Sequence, residues 1–353
     1  MSVTEVQFSS QGLDNVAITS VEGRTQWQLT WRRLRSDKVS MIAMAVIVIM
    51  IILAIAAPAV AALTGHDVNT AYPVTGENMD GNPVGPGTNG FLLGTDSTGR
   101  DLLVRILYGA RISLFVGIVT TLIASVLGVA VGLIAGYFGG VVDTVLARFT
   151  DAVLAFPYIV LALALAVVFG PSLTIILVMI TFFSWAGIAR IVRGQTLSIK
   201  EKEYIEAARS LGAGPFRIMF FDILPNLLAP VLVIATLYIP NAVVFESTLS
   251  YLGLGVQPPT PSWGNMLSDA QNFYQVAWWY LVFPAAVLLI TTLAFNLLGD
   301  GIRDAMDPRT EKLIAARRLR RRQTRRSMNK GNKEALRGLA VGGAATADTR
   351  MKG

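Results

Sequence analysis

The stretch Glu206–Pro225, EAARSLGAGPFRIMFFDILP, carries residue types that could form a contact with another macromolecule. Acids, bases, glycines and prolines occur here between two long apolar runs. Residues 201–211 are rich in strong helix formers, and Gly212 is positioned to end that helix. A second short helix is predicted over 216–223, with Pro225 stopping it. The chemistry on offer is non-covalent docking; the pattern alone leaves open an ordinary loop capped by amphipathic helices.

Catalytic chemistry has few candidate residues. The chain has no cysteine and one histidine, His66, which argues against thiol nucleophiles, disulfides and most transition-metal sites. No G-x-x-x-x-G-K-[ST] sequence occurs, so a phosphate-binding P-loop is not expected. No His-based triad or HExxH pattern is present either. We predict a non-enzymatic chain without cofactor or metal, whose energy, if it uses any, comes from another protein.

The composition indicates that lipid surrounds much of the chain. Hydrophobic residues make up 53% and charged residues 15%, whereas soluble domains carry roughly 25% charged residues. A helix needs about 20 apolar residues to cross a hydrocarbon core of about 30 Å, and backbone groups in lipid must pair within helices. We predict an all-α membrane protein with six transmembrane helices. The expected spans are 39–63, 112–137, 152–169, 172–190, 226–245 and 277–298.

Basic residues orient these predicted spans. All but three of the 30 lysines and arginines fall on one side, and the exceptions are Arg100, Arg105 and Arg111. Lysine and arginine are enriched in cytoplasmic loops, so both termini and the loop 193–225 are predicted to be cytoplasmic. The predicted domains are a cytoplasmic N-terminal segment (1–38), a six-span domain (39–299) and a basic cytoplasmic tail (300–353).

Membrane lipid is a predicted partner of both terminal segments. In 24–38, Trp27, Trp31 and Leu34 share a helical face, which suits an interfacial helix; a solvated basic linker is the alternative. The polybasic residues 315–326 would attract anionic lipid or remain solvated. They lack the aromatic residues that single-stranded nucleic-acid binding uses, so nucleic acid is not an expected partner.

Three glycines recur at four-residue spacing in the second predicted span: Gly128, Gly132 and Gly136. Small residues at this spacing let helix backbones approach closely in lipid. We predict tight packing against a neighbouring helix; a flexible helix in a pore is the alternative.

The docking stretch resembles a known family pattern. Glu-Ala-Ala at 206–208, followed by Gly212 and by Ile-Leu-Pro at 223–225, is similar to the EAA loop of ABC-importer permeases. Asp222 departs from it, because that loop commonly has isoleucine there. Three further stretches resemble the C-type permeases of the dipeptide, oligopeptide and nickel group. They are GTDSTGRD with YGARISL in 94–114, SYLGLGVQPP with PSWG in 250–264, and LGDGIRDAMDPR in 298–309.

This resemblance covers residues 34–309 and implies the type I importer (MetI-like) fold in a bacterial inner membrane. The chain would form half of a pore for di- or oligopeptides with a homologous second permease subunit. Two cytoplasmic ATP-binding subunits would hydrolyse ATP, and an extracytoplasmic binding protein would deliver substrate. The implied ATPase-coupling residues are Glu206, Ala207, Ala208, Gly212, Leu224 and Pro225.

Three acids lie near the predicted outer surface. Asp96 and Asp101 are expected to cap a helix or to pair with Arg100 and Arg105. Glu246, at the outer end of the fifth predicted span, is a candidate contact for a peptide's amino group in an outer vestibule. A helix-end acid in a solvated vestibule is the alternative.

Other functions remain open at this point. A permease for nickel or another small solute would share the same resemblance. An ATPase-independent channel or carrier would need no coupling loop, and a membrane scaffold would depend on the basic tail.

Overall fold

The computed structural model describes residues 26–306, and within that range the chain is built from helices, loops and isolated β-bridges. In chain order the helices are α1 (Gln26–Ser36), α2 (Lys38–Thr64), α3 (Leu102–Phe138), α4 (Gly140–Ala155), α5 (Tyr158–Phe169), α6 (Leu173–Lys200), α7 (Glu203–Ser210), α8 (Pro215–Arg217), α9 (Leu224–Tyr251), α10 (Trp263–Ala270) and α11 (Trp278–Met306). A π-helical turn, Ile218–Ile223, joins α8 to α9. The polybasic stretch 315–326 lies outside the described residues.

Five helices are long and apolar enough to cross a membrane, and the pair α4–α5 adds a sixth if it forms one span. The all-α membrane fold is thereby confirmed. The third span differs from its prediction of 152–169, because the chain bends by 76° between α4 and α5. Pro157 disfavours helical geometry at Phe156 and cannot donate a backbone hydrogen bond. Phe156 is accordingly extended, and α4 ends before it.

The glycine stripe of α3 packs against α6, the most extensive helix pairing within the described residues. A Cβ atom added at Gly132 would lie 2.5 Å from the carbonyl oxygen of Ala189, and one at Gly136 would lie 2.6 Å from the Cβ of Thr196. A Cβ atom added at Gly128 would lie 2.8 Å from the Cβ of Ile188 in α6. The two backbones therefore touch, and the predicted tight packing is confirmed.

The second short helix does not stop at Pro225, which corrects the sequence prediction. α8, the π-helical turn and α9 continue as one apolar helix of 37 residues from Pro215 to Tyr251. A proline ring normally clashes with the carbonyl four residues before it. Here the amide of Leu224 bonds five residues back, to the carbonyl of Met219. This wider turn directly precedes Pro225 and lets the helix run through it.

The segment between α2 and α3 is held by ion pairs and a helix cap. One carboxylate oxygen of Asp96 lies 2.7 Å from Nε of Arg100 and 3.0 Å from Nε of Arg105. Asp101 caps the first turn of α3, and its other oxygen lies 2.7 Å from Nδ1 of His66. The predicted capping and pairing are confirmed, and His66 has a structural role.

The first and last described helices meet at one end of the bundle. Nη1 of Arg33 in α1 donates to the carbonyl of Ala305 in α11, at 3.2 Å. Leu34 is buried, whereas Trp31 is 53% exposed; the side chain of Trp27 lies outside the described residues. α11 runs to Met306, past the domain boundary predicted at 299.

Candidate functional site

α7 holds the first half of the predicted docking stretch. Glu206 lies in its first turn and Arg209 in its last. The helix dipole stabilises a negative charge near the N-terminus of a helix and a positive charge near its C-terminus. At its end the amide of Gly212 donates to the carbonyl of Arg209 at 2.9 Å, and the amide of Ala213 donates to that of Ala208 at 3.0 Å. This is a Schellman motif. Gly212 has φ of +83°, a left-handed conformation that favours glycine.

We call residues 203–223 the knob: α7, the turn after it, α8 and the π-helical turn. Its buried side chains enter a hydrophobic cluster that also contains Leu133 of α3 and Ile188 and Val192 of α6. These anchoring side chains are Ile205, Ile218, Met219 and Ile223. The knob is therefore packed rigidly onto the two helices that the glycine stripe holds together.

Polar contacts strengthen this attachment. Nζ of Lys200 donates to the carbonyl of Gly136 at 2.9 Å, which ties the end of α6 to the end of α3. The guanidinium of Arg209 lies 5.5 Å from the ring centroid of Tyr137, a cation–π contact between the knob and α3.

Paired charges also join α4 to α6. The guanidinium of Arg193 donates two hydrogen bonds to the carboxylate of Asp143, and Arg190 pairs with Asp151. The sequence analysis missed these pairs. The sequence could have indicated them, because two acids and two bases occur on adjacent apolar helices and an unpaired charge there is costly.

The outward surface of the knob is apolar with charged neighbours. Leu211 is 89% exposed, Phe216 72% and Phe221 77%, and Glu206 and Arg217 in the same segment are exposed as well. Large apolar side chains exposed together with charged ones are typical of a protein contact. Among residues 26–306, no cluster of histidine and acidic side chains is placed to hold a metal ion. The chemistry this surface offers is that of docking.

The six predicted coupling residues divide into two groups. Glu206, Ala207, Gly212 and Pro225 are exposed, whereas Ala208 and Leu224 are half-buried against the hydrophobic cluster. Leu224 and Pro225 lie outside the knob, in the first turn of α9. The strongly exposed Leu211 and Phe221 were not predicted.

Glu246 does not face an open vestibule in this structure. Its side chain is completely buried. One carboxylate oxygen accepts from the hydroxyl of Ser113 in α3 at 2.7 Å, and the other accepts from Ser250 at 2.8 Å. Both sequence-based interpretations placed this acid in contact with solvent, and the structure instead makes it a link between α3 and α9.

Two family models match this chain. The model for the binding-protein-dependent transport system inner membrane component matches residues 128–312. The model for the N-terminal TM domain of oligopeptide transport permease C matches residues 25–76. The first includes the knob, and the second covers α1 and α2.

Individual proteins are similar over most of the chain. The oligopeptide transport system permease protein OppC of Haemophilus influenzae is 40% identical over 305 residues, which cover 86% of this chain and 94% of that protein. The dipeptide transport system permease protein DppC of Bacillus subtilis is 40% identical over 286 residues, or 81% and 86% of the two chains. A solved inward-facing structure of the MetNI methionine ABC transporter matches with 23% identity and a TM-score of 0.48, over 58% of this chain and 96% of that chain.

Proposed function

Because this chain belongs to the family of binding-protein-dependent transport system inner membrane components, we propose that it is a permease subunit of an ATP-driven importer. Its relatives named for oligopeptide and dipeptide transport support short peptides as the substrate. The chain forms half of the translocation pore beside a homologous second permease subunit. It catalyses no bond chemistry itself.

The knob is the observation that carries this proposal. Two cytoplasmic ATP-binding subunits hydrolyse ATP, and one of them seats the exposed surface around Glu206, Leu211 and Phe216. The buried side chains of the knob transmit the resulting displacement to α3 and α6. The helix Pro215–Tyr251 starts in the knob and has 37 residues, so at about 1.5 Å per residue it is about 55 Å long. It carries the same displacement across the whole membrane.

The knob and both termini lie in the cytoplasm. The contact of Arg33 with Ala305 supports this, because it brings the first and last described helices to one end of the bundle. Because six is an even number of crossings, the end of α11 lies on the same side of the membrane as the start of α2. The excess of lysine and arginine on this side agrees with the usual cytoplasmic enrichment.

The opposite end receives substrate from an extracytoplasmic binding protein. Residues 65–101 form an ordered surface there, because the ion pairs of Asp96 and the cap at Asp101 fix the segment to the start of α3. An ordered docking surface loses little conformational entropy when a partner binds. Membrane lipid contacts the amphipathic helix α1 at the cytoplasmic end.

Charge reversal at Glu206 tests the proposal. Glu206→Arg leaves the buried anchors intact but places a new cation on the docking surface. We expect ATP-driven uptake of a labelled dipeptide into cells to fall about tenfold or more, because charge reversal at an interface disrupts its electrostatic complementarity. The variant should still reach the membrane in normal amounts.

Asp304→Arg is the matched control, since Asp304 is an exposed acid near the end of α11, outside the knob and outside residues 65–101. This control should leave ATP-driven dipeptide uptake near the level of the unmodified chain. Normal uptake in Glu206→Arg would refute the coupling role of the knob. Uptake by the purified chain alone, driven by an ion gradient, would instead establish an ATPase-independent carrier.

A further inference from the structure

A cavity of about 360 Å³ opens between the α4–α5 bend, α6 and α9. Cavities that bind small molecules have volumes of roughly 300–1,000 Å³. Polar and aromatic side chains from all three elements line it: Phe156, Tyr158, Ser184, Tyr238, Asn241 and Thr248. No described residue that lines it carries a charge. The knob surface and the buried Glu246 are separate from this cavity.

One face of α9 brings polar groups to the cavity. Tyr238, Asn241 and Thr248 are three and seven residues apart, which places them along one side of the helix. The hydroxyl of Tyr238 lies directly over Gly187 of α6, where an added Cβ would be 2.2 Å from it. Among the described residues this hydroxyl has no hydrogen-bond partner. A hydroxyl without a partner in a membrane helix is costly, which favours water or a polar ligand at this position.

Asn241 offers a second polar group beside this hydroxyl. Its amide nitrogen donates to the carbonyl of Leu237 at 3.0 Å. The side-chain oxygen remains able to accept a hydrogen bond. Together the hydroxyl and the amide present a donor and acceptors to whatever occupies the cavity.

The bend between α4 and α5 gives an independent reason to place water here. Phe156 and Pro157 interrupt the helix, and both are exposed. Non-helical backbone at membrane depth is tolerated only where protein covers it or where it lines a water-filled cavity. Substrate sites in transporters are often built beside such broken helices. Protein or water, rather than lipid, is therefore expected to cover this bend and the cavity beside it.

We propose that this cavity is the place where the imported peptide contacts this subunit. Tyr238 and Asn241 hydrogen-bond to amide groups of the peptide backbone. Tyr158 forms an aromatic wall for an apolar side chain, with ring centroids 5.1 Å from Phe245 and 6.1 Å from Phe183. Because the lining is uncharged, the site recognises amide and apolar groups rather than terminal charges. This inference rests on the proposed function and names the part of the pathway that the substrate touches.

Cysteine labelling tests the cavity, because the chain has no cysteine of its own. Thr248 and Thr292 are matched membrane-helix threonines, each donating to the carbonyl four residues before it, at 2.8 and 2.9 Å. Only Thr248 lines the cavity. In the assembled transporter, a hydrophilic maleimide should modify Thr248→Cys about tenfold faster than Thr292→Cys, because the reactive thiolate forms in water. A transported dipeptide, added with binding protein and ATP, should slow only the Thr248→Cys reaction, by about threefold or more.

Equal modification rates for the two variants, or no protection by the dipeptide, would overturn this assignment. Uptake by the same variants separates its failure from that of the proposed function. Variants that import dipeptide with ATP but show no difference in labelling leave the importer intact and refute the cavity. An unmodified transporter that imports no dipeptide refutes the proposed function, and with it the assignment of the cavity.

Discussion

At the scale of single residues, a buried carboxylate links two spans. Glu246 in α9 is completely buried, and the hydroxyls of Ser113 and Ser250 donate to its two oxygens. The hydroxyl of Ser250 also accepts from the amide of Val256 at 3.1 Å, which extends the link to the loop after α9. Buried polar groups persist in proteins when hydrogen bonds satisfy them. Glu246 is thus a structural element of the bundle.

Replacement of Glu246 should therefore affect stability first. Glu246→Ala leaves the hydroxyls without an acceptor and opens a cavity, so we expect a loss of about 2–5 kcal/mol. Glu246→Gln keeps the shape and one acceptor and should cost clearly less. The thermal stability of the purified transporter in detergent measures both changes. A Gln variant of normal stability that no longer imports peptide would instead support direct contact with substrate.

The knob shows how far residue patterns can predict a site. The sequence around Glu206 predicted a helix, and Gly212 predicted its end, because both depend on local backbone preferences. The burial of Ala208 was not predictable, since an eight-residue helix does not reveal which of its faces meets the bundle. The exposure of Leu211 was missed for a different reason. An apolar residue in a turn is normally expected to be buried in the core.

At the scale of elements, the pair α3–α6 forms the rigid part of the molecule. Gly132→Ala should destabilise this pair by about 1–3 kcal/mol, because the new methyl group meets backbone atoms of α6 that cannot move aside. Gly194→Ala is the matched control. Gly194 lies in α6 with nothing within 4 Å of an added Cβ, so alanine should be neutral or stabilise by up to about 1 kcal/mol. Equal thermal stability of the two purified variants would argue against direct backbone contact.

Four-residue glycine spacing predicted this helix pairing, because a small-residue stripe has one main use in lipid. Two other features could not be read from the sequence in the same way. Pro157 ends a helix and bends its span, whereas Pro225 is accommodated by a π-helical turn. Both prolines occur near apolar runs, and only the packing around each one decides between a break and a continuous helix.

At the scale of the whole molecule, the chain connects the knob at one end with an ordered loop surface at the other. The helix Pro215–Tyr251 joins the knob directly to the region of Glu246. The charge distribution predicts a cytoplasmic position for the knob, because charge bias acts on whole loops and does not depend on packing. The cavity beside the α4–α5 bend was not predicted, since its lining comes from segments far apart in sequence.

The central claim is that the knob contacts an ATP-binding subunit, and site-directed crosslinking tests it most directly. Ala207 is exposed on α7, and Val74, 89% exposed between α2 and α3, is the control position. Each is changed to cysteine in this cysteine-free chain and treated with a short photoactivatable thiol crosslinker in the assembled transporter. We predict that Ala207→Cys crosslinks to the ATP-binding subunit and that Val74→Cys does not. A transporter that imports dipeptide normally, yet gives no crosslink from Ala207→Cys to the ATP-binding subunit, would contradict the account.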